Sequence, residues 1–268
     1  MNEKIFNMKK MAYICLFTLA SYMGSQAQVS YIGHRGASFL APENTVASAN
    51  LAWELGADAV EIDIQMSADN KVMVHHDSNT KRQTGVDKKI KDTSAKELRT
   101  LDAGSFKGGK FRGEKIPFLK EILATIPDGK TLVVEIKCGS EILPFVKEII
   151  DESDKKEQIV FISFGWQTII DTKKMMPDNK CYWLSAIGAE VKLKINDVKA
   201  NGLDGLDLRN KIINKKLMDK ANALGLEVLC WTVDEPKEAK RLIDLGVKGI
   251  TTNRPAWLKD QVARNRIY

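Results

Sequence analysis

Cysteine is scarce in this chain of 268 residues: there are four, and no two stand in a CxxC spacing. That argues against a disulfide framework or a cysteine-built zinc site as the organising device. The first strand-like run is followed by GHRGAS rather than GxGxxG, so the phosphate loop of a dinucleotide-binding open sheet is missing. The formal charge of +6 is spread along the chain with no dense Lys/Arg tract, which gives no support for nucleic-acid binding. No internal repeat or low-complexity segment stands out. The longest apolar stretch, MAYICLFTLASYMG, falls short of the roughly 20 residues that span a bilayer.

What is present starts with that stretch. Lys9 and Lys10 precede it, and SQAQ follows with small residues at Ser25 and Ala27. This is the order of a secretory signal, with cleavage expected after Ala27. The mature chain, residues 28–268, is then expected to be exported, periplasmic or secreted, without stable membrane insertion. Tyr13 and Ile14 before Cys15 argue against lipoprotein processing there. Losing residues 1–27 removes three lysines and one glutamate, so the formal charge falls from +6 to +4. Cys138, Cys181 and Cys230 stay behind and read as buried free thiols.

From Tyr31 onward, short β-rich runs alternate with amphipathic stretches. The strand candidates are YIGH, AVEIDIQ, KVMVHHD, TLVVEIK, IVFISF, CYWLS, LDGLDL, EVLCWTV and VKGITTN. Between most of them lie stretches such as NTVASANLAWELGA, EILPFVKEIIDES and EPKEAKRLIDLG, whose apolar residues recur at three- and four-residue spacing. That rhythm means βα units and a parallel sheet. About eight units in about 240 residues predict an α/β fold of the TIM (β/α)8 type. One polar, irregular stretch, Ser78 to Ile116, reads as a small insertion after the strand that ends in HHD.

Residues i and i+2 of a strand point the same way. EID therefore aims Glu61 and Asp63 to one side, and EIK does the same for Glu135 and Lys137. Both pairs lie near the C-terminal ends of their strands, where barrel enzymes keep their active sites. His34 and His76 take the same relative position on their strands. Three carboxylates brought together repel, and a divalent cation relieves them; oxygen ligands favour Mg2+ or Ca2+ over zinc. Arg35 and Lys137 suit an anionic, phosphate-bearing substrate. Two histidines can divide proton transfer between the attacking hydroxyl and the leaving alcohol. Together these describe phosphodiester cleavage by charge stabilisation.

At these residues the chain resembles the glycerophosphodiester phosphodiesterase family: HRGASFLAPENT, AVEIDIQMSADNKVMVHHD, IPFLKEIL, VVEIK and WTVDEPKEAKRLIDLGVKGITTNRP carry the likeness from about Tyr31 to Trp257. The resemblance implies a TIM barrel that hydrolyses small-molecule glycerophosphodiesters to glycerol 3-phosphate and an alcohol. It implies Glu61, Asp63 and Glu135 as metal ligands, His34 and His76 as the acid–base pair, and Arg35 and Lys137 as phosphate contacts. Glu43 and Asn44 are expected to cap or orient the first helix, with Glu43 near the phosphate. Trp231 is expected to wall the glycerol chain, and Asp77 to serve a turn or support a neighbour. The chain departs from the family's pattern at His75, Asn222 and Asn253. HHD leaves two histidines to choose from, and strand alternation favours His76 as the inward one. Of the other readings, a glycosidase has no use for two mouth histidines beside Arg35 and Lys137. A non-catalytic phosphate-binding barrel would predict a missing ligand or histidine. A phospholipase D-type enzyme acting on lysophospholipids shares most of the site.

Overall fold

The computed structural model describes residues 29–264, so the expected signal segment and its cleavage point lie outside the described residues. Nine strands run in chain order: β1 (Ser30–Gly33), β2 (Ala59–Met66), β3 (Val72–Val74), β4 (Thr131–Ile136), β5 (Ile159–Ser163), β6 (Lys180–Ser185), β7 (Gly205–Arg209), β8 (Glu227–Trp231) and β9 (Gly249–Thr252). All neighbours pair parallel except β2 with β3, and the β1–β2 and β1–β9 pairings close the sheet. Eight strands thus form a TIM barrel, and β3 is an added arm.

Each barrel strand leads to a helix: α1 (Val46–Glu54), α2 (Leu119–Leu123), α3 (Leu143–Asp151), α4 (Trp166–Met175), α5 (Gly188–Ala200), α6 (Lys215–Ala223), α7 (Pro236–Leu245) and α8 (Pro255–Arg264). Local chemistry marks their ends. Thr45, rather than Glu43 or Asn44, caps α1 by accepting the Ser48 N–H, and Asn214 caps α6 by accepting that of Leu217. Gly246 closes α7 at φ 93°, a conformation glycine adopts without strain. No helix among the described residues is long and apolar enough to cross a membrane.

Strand alternation divides the core in two. Val60, Ile62 and Ile64, like Leu132, Val134 and Ile136, face outward into the main core. Ile32, Ala59, Val133, Ile162, Tyr182, Leu184 and Leu229 pack inside the barrel. Each fully buried Leu or Ile contributes about 1.5–3 kcal/mol by leaving water. A third cluster, built on Met73, Ile90, Ala95, Leu98, Ala103 and Ile116, underlies residues 78–116, which form only short helical turns.

The KVMVHHD run differs from expectation. It is not a barrel strand: it folds back on β2 with Ile64 opposite Val74 and Met66 opposite Val72. The returning chain is therefore delivered to the mouth at the level of Asp63, whose carbonyl accepts the His75 N–H at 3.0 Å. His76 reaches the mouth from this arm, not from the end of a barrel strand.

Candidate active site

The sequence on either side of β1 sets the first half of the site. Directly after β1, Arg35 adopts φ 56° and Gly36 φ 86°. A Cβ at Gly36 would lie 2.6 Å from the Ser48 carbonyl carbon, so only glycine lets the turn pack on α1. Arg35 has no such freedom, and its left-handed backbone is a local strain held by contacts around it. Its N–H donates to Glu61 Oε2 at 2.8 Å, and its carbonyl accepts from Ser48 Oγ at 2.8 Å. Its guanidinium meets Glu43 at 2.8 Å and Asp63 at 3.4 Å.

β2 and β4 supply the second half. The alternation that sends their isoleucines outward turns Glu61, Asp63 and Glu135 inward, with Asp63 beside Glu135 in register. One oxygen from each acid lies within 4.8 Å of the others. Lys137 Nζ lies 2.9 Å from Glu135 and 3.6 Å from Asp63. Burial, then the charges of Asp63 and Glu135, push Glu61 well above the ordinary carboxylate range. Burial and Asp63 likewise push Glu135 up to about 7. Asp63 Oδ1 is buried with no hydrogen-bond partner. Crowded, raised carboxylates and an orphaned acceptor oxygen are what a divalent cation would satisfy, and an all-oxygen donor set fits Mg2+ or Ca2+.

The two histidines face the same cavity, lined also by Arg35, Glu61, Glu135, Lys137, Phe164 and Trp231. His34 Nδ1 lies 2.8 Å from Asn253 Oδ1, and Asn253 in turn donates through Nδ2 and its backbone N–H to Asp234. An amide oxygen accepts but does not donate, so His34 carries its proton on Nδ1 and leaves Nε2 free. Burial and the Arg35 charge lower His34 below its usual 6.5. His76 Nδ1 lies 2.7 Å from Asp77, which Arg82 also holds at 2.7 Å. His75 is fully buried, does not line the cavity, and is driven down to about 4 by burial.

Glu43 is absent from the cavity wall. It grips Arg35 and Arg82; burial opposes its charge, yet hydrogen bonds from Arg82 and the charge of Arg35 hold it at about 2. Asn44, at φ 57°, clamps Asp63 by donating to Oδ2 at 2.8 Å and accepting its N–H at 3.1 Å. Trp231 does line the cavity, edge-on to Phe164 at 5.6 Å between ring centroids. Two participants escaped sequence reasoning. Asn253 was noted only as a departure, and Asp207, an inward acid between outward Leu206 and Leu208, was not singled out. The single acid set between two leucines in GLDLR was the available signal for Asp207.

Against known proteins, residues 34–257 match the glycerophosphoryl diester phosphodiesterase family. A glycerophosphodiester phosphodiesterase of Caldanaerobacter subterraneus subsp. tengcongensis is 35% identical over 240 residues, covering 87% of this chain and 97% of that protein. A lysophospholipase D of Mus musculus is 28% identical over 267 residues, covering 86% of this chain and 85% of its own length. Among solved structures, a phosphodiesterase of Oleispira antarctica in complex with the product sn-glycerol-3-phosphate superposes with a TM-score of 0.82. It is 27% identical and covers 87% of this chain and 96% of that one.

Proposed function

The chain belongs to the glycerophosphoryl diester phosphodiesterase family and is an enzyme of that activity, and on that premise we propose how its residues divide the work. The observation that carries the reading is the convergence of two imidazoles, two cations and an acidic cluster on one cavity. Glu61, Asp63 and Glu135 would hold a divalent cation, Mg2+ or Ca2+. When bound, it supplies positive charge that stabilises the pentacoordinate phosphoryl group.

Arg35 and Lys137 bind the non-bridging phosphoryl oxygens, and their own ion pairs with Glu43 and Glu135 keep both heads aimed at the cavity. His34, neutral and held through Nδ1 by Asn253, receives at Nε2 the proton of the attacking hydroxyl. His76, held through Nδ1 by Asp77, delivers a proton to the leaving oxygen as its bond to phosphorus breaks. Glu43 and Asn44 act on the substrate only indirectly, by fixing Arg35 and Asp63. Trp231 walls the side of the cavity across from Glu61 and Glu135.

Release of glycerol 3-phosphate from glycerophosphocholine and glycerophosphoethanolamine tests this, with Mg2+, Ca2+ or chelator. The expected result is cation-dependent release that falls at least about 100-fold in both His34→Ala and His76→Ala. Full activity in either variant would remove that histidine from its role. A second reading, a lysophospholipid as substrate, draws on Phe39, Leu40 and Phe164, which stand 50%, 49% and 46% exposed after β1 and β5. Faster turnover of lysophosphatidylcholine than of glycerophosphocholine would favour it. Export rests on residues 1–27, and N-terminal sequencing of the mature protein beginning at Gln28 is the expected outcome.

A further inference from the structure

Across the barrel from the acidic cluster stands a fourth acid that the reaction above does not use. In the closed order of eight strands, β7 lies opposite β2, so Asp207 faces the cavity from the far wall. It is 1% exposed, and its Oδ1 is buried without a hydrogen-bond partner. The other acids lining this cavity have partners: Glu61 accepts the Arg35 N–H, and Glu135 pairs with Lys137. Among the described residues no cation pairs with Asp207. Burial, and then the Glu135 charge, push its carboxyl well above the usual range. A buried acid left in this state is costly and calls for a complement.

The structure around Asp207 narrows what that complement is. Trp231 donates its indole N–H to the Asp207 carbonyl at 3.3 Å, and Phe164 stands edge-on to Trp231. Ile162 and Leu184 line the same cavity, and among the described residues none donates a hydrogen bond to Asp207 Oδ1. One acid beside two aromatic rings is poor ligation for a metal ion, which needs several oxygens. It does suit an organic ammonium, which pairs with the carboxylate and is attracted to ring faces. The orphaned acceptor oxygen asks for an N–H donor. A primary ammonium has three and a quaternary one has none.

We propose that Asp207, Trp231 and Phe164 form a subsite for a primary ammonium head group, making this enzyme selective for ethanolamine-type glycerophosphodiesters. The proposal rests on the phosphodiesterase reading above. A diester whose phosphoryl group sits by Arg35 and Lys137 extends its alcohol arm across the mouth toward β7. The Asp207 carboxylate then meets the ammonium.

The test compares kcat/KM for glycerophosphoethanolamine with that for the 2-hydroxyethyl ester, which replaces the ammonium by a hydroxyl at the same length. The wild-type protein is expected to prefer the ammonium ester by about tenfold or more. In Asp207→Asn, which keeps size and polarity without the charge, that ratio falls to about one. A wild-type ratio near one overturns the subsite without calling on any variant, and so does a ratio that survives in a folded Asp207→Asn protein. If the wild type cleaves both esters without preference, only the subsite fails. If it cleaves neither, the phosphodiesterase reading fails and takes the subsite with it.

Discussion

Glu135→Gln offers the sharpest view of the acidic cluster, because it removes a charge and keeps the shape. Burial and the neighbouring Asp63 raise Glu135 from 4.5 to about 7 in the folded protein. A carboxyl raised in this way keeps its proton in the fold up to about pH 7, where the unfolded chain has already lost it. Its stabilisation is complete below about pH 4.5 and is lost as pH rises through about 7. A shift of that size is worth about 3 kcal/mol. In chelator, the variant is therefore expected to match the wild type near pH 4.5 and to exceed it by about 3 kcal/mol at pH 8. For a barrel of this length that is a rise of about 6–12 °C in Tm. Thermal unfolding followed by calorimetry across pH 4.5–8 reads this directly. Adding Mg2+ or Ca2+ at about 100 times its Kd stabilises the wild type by about 2.7 kcal/mol at pH 8, with a smaller gain at pH 5 and in the variant. A variant equally destabilised at both ends of the range, or a cation effect independent of pH, would refute the reasoning.

Three further outcomes follow from the same contacts. Asn253→Leu removes the acceptor that fixes the His34 tautomer; kcat is expected to fall by about tenfold or more with little change in KM, read in steady-state kinetics. Because burial and Arg35 lower His34 below 6.5, the acidic limb of the kcat/KM profile lies below pH 6.5. A limb above that value would contradict the assignment of His34 as base. Gly36→Ala forces a Cβ against Ser48 at φ 86° and is expected to cost about 3 kcal/mol or more, measured by denaturant unfolding.

The parts of this site that lie on single strands were legible in the sequence. Two-residue alternation alone turns Glu61 and Asp63, and Glu135, to the same side as the barrel interior, and the neighbouring isoleucines fix which side that is. His34 and Arg35 were legible because they end the first strand before a glycine. What depends on barrel closure was not. Asn253 meets His34 across 219 residues of sequence, and no local pattern announces that β9 will lie beside β1. Asp207 is flanked by leucines and has no partner acid or histidine at i+2, so alternation points it inward without saying at what. The antiparallel turn of β3 was hidden because VMVHH reads the same in either strand direction. Helix α5 has a weak sequence signal, because its buried Val191, Ile195 and Val198 are diluted by lysines along the rest of its length.

The measurement that bears most directly on the whole account is 31P NMR of glycerophosphoethanolamine turnover by the wild-type protein with Mg2+ or Ca2+. The account predicts that the diester resonance is replaced by that of glycerol 3-phosphate, and that chelator abolishes the change. Formation of phosphoethanolamine instead would mean that the other ester bond is cleaved, and an unchanged diester resonance would contradict the assignment of this cavity to phosphodiester hydrolysis.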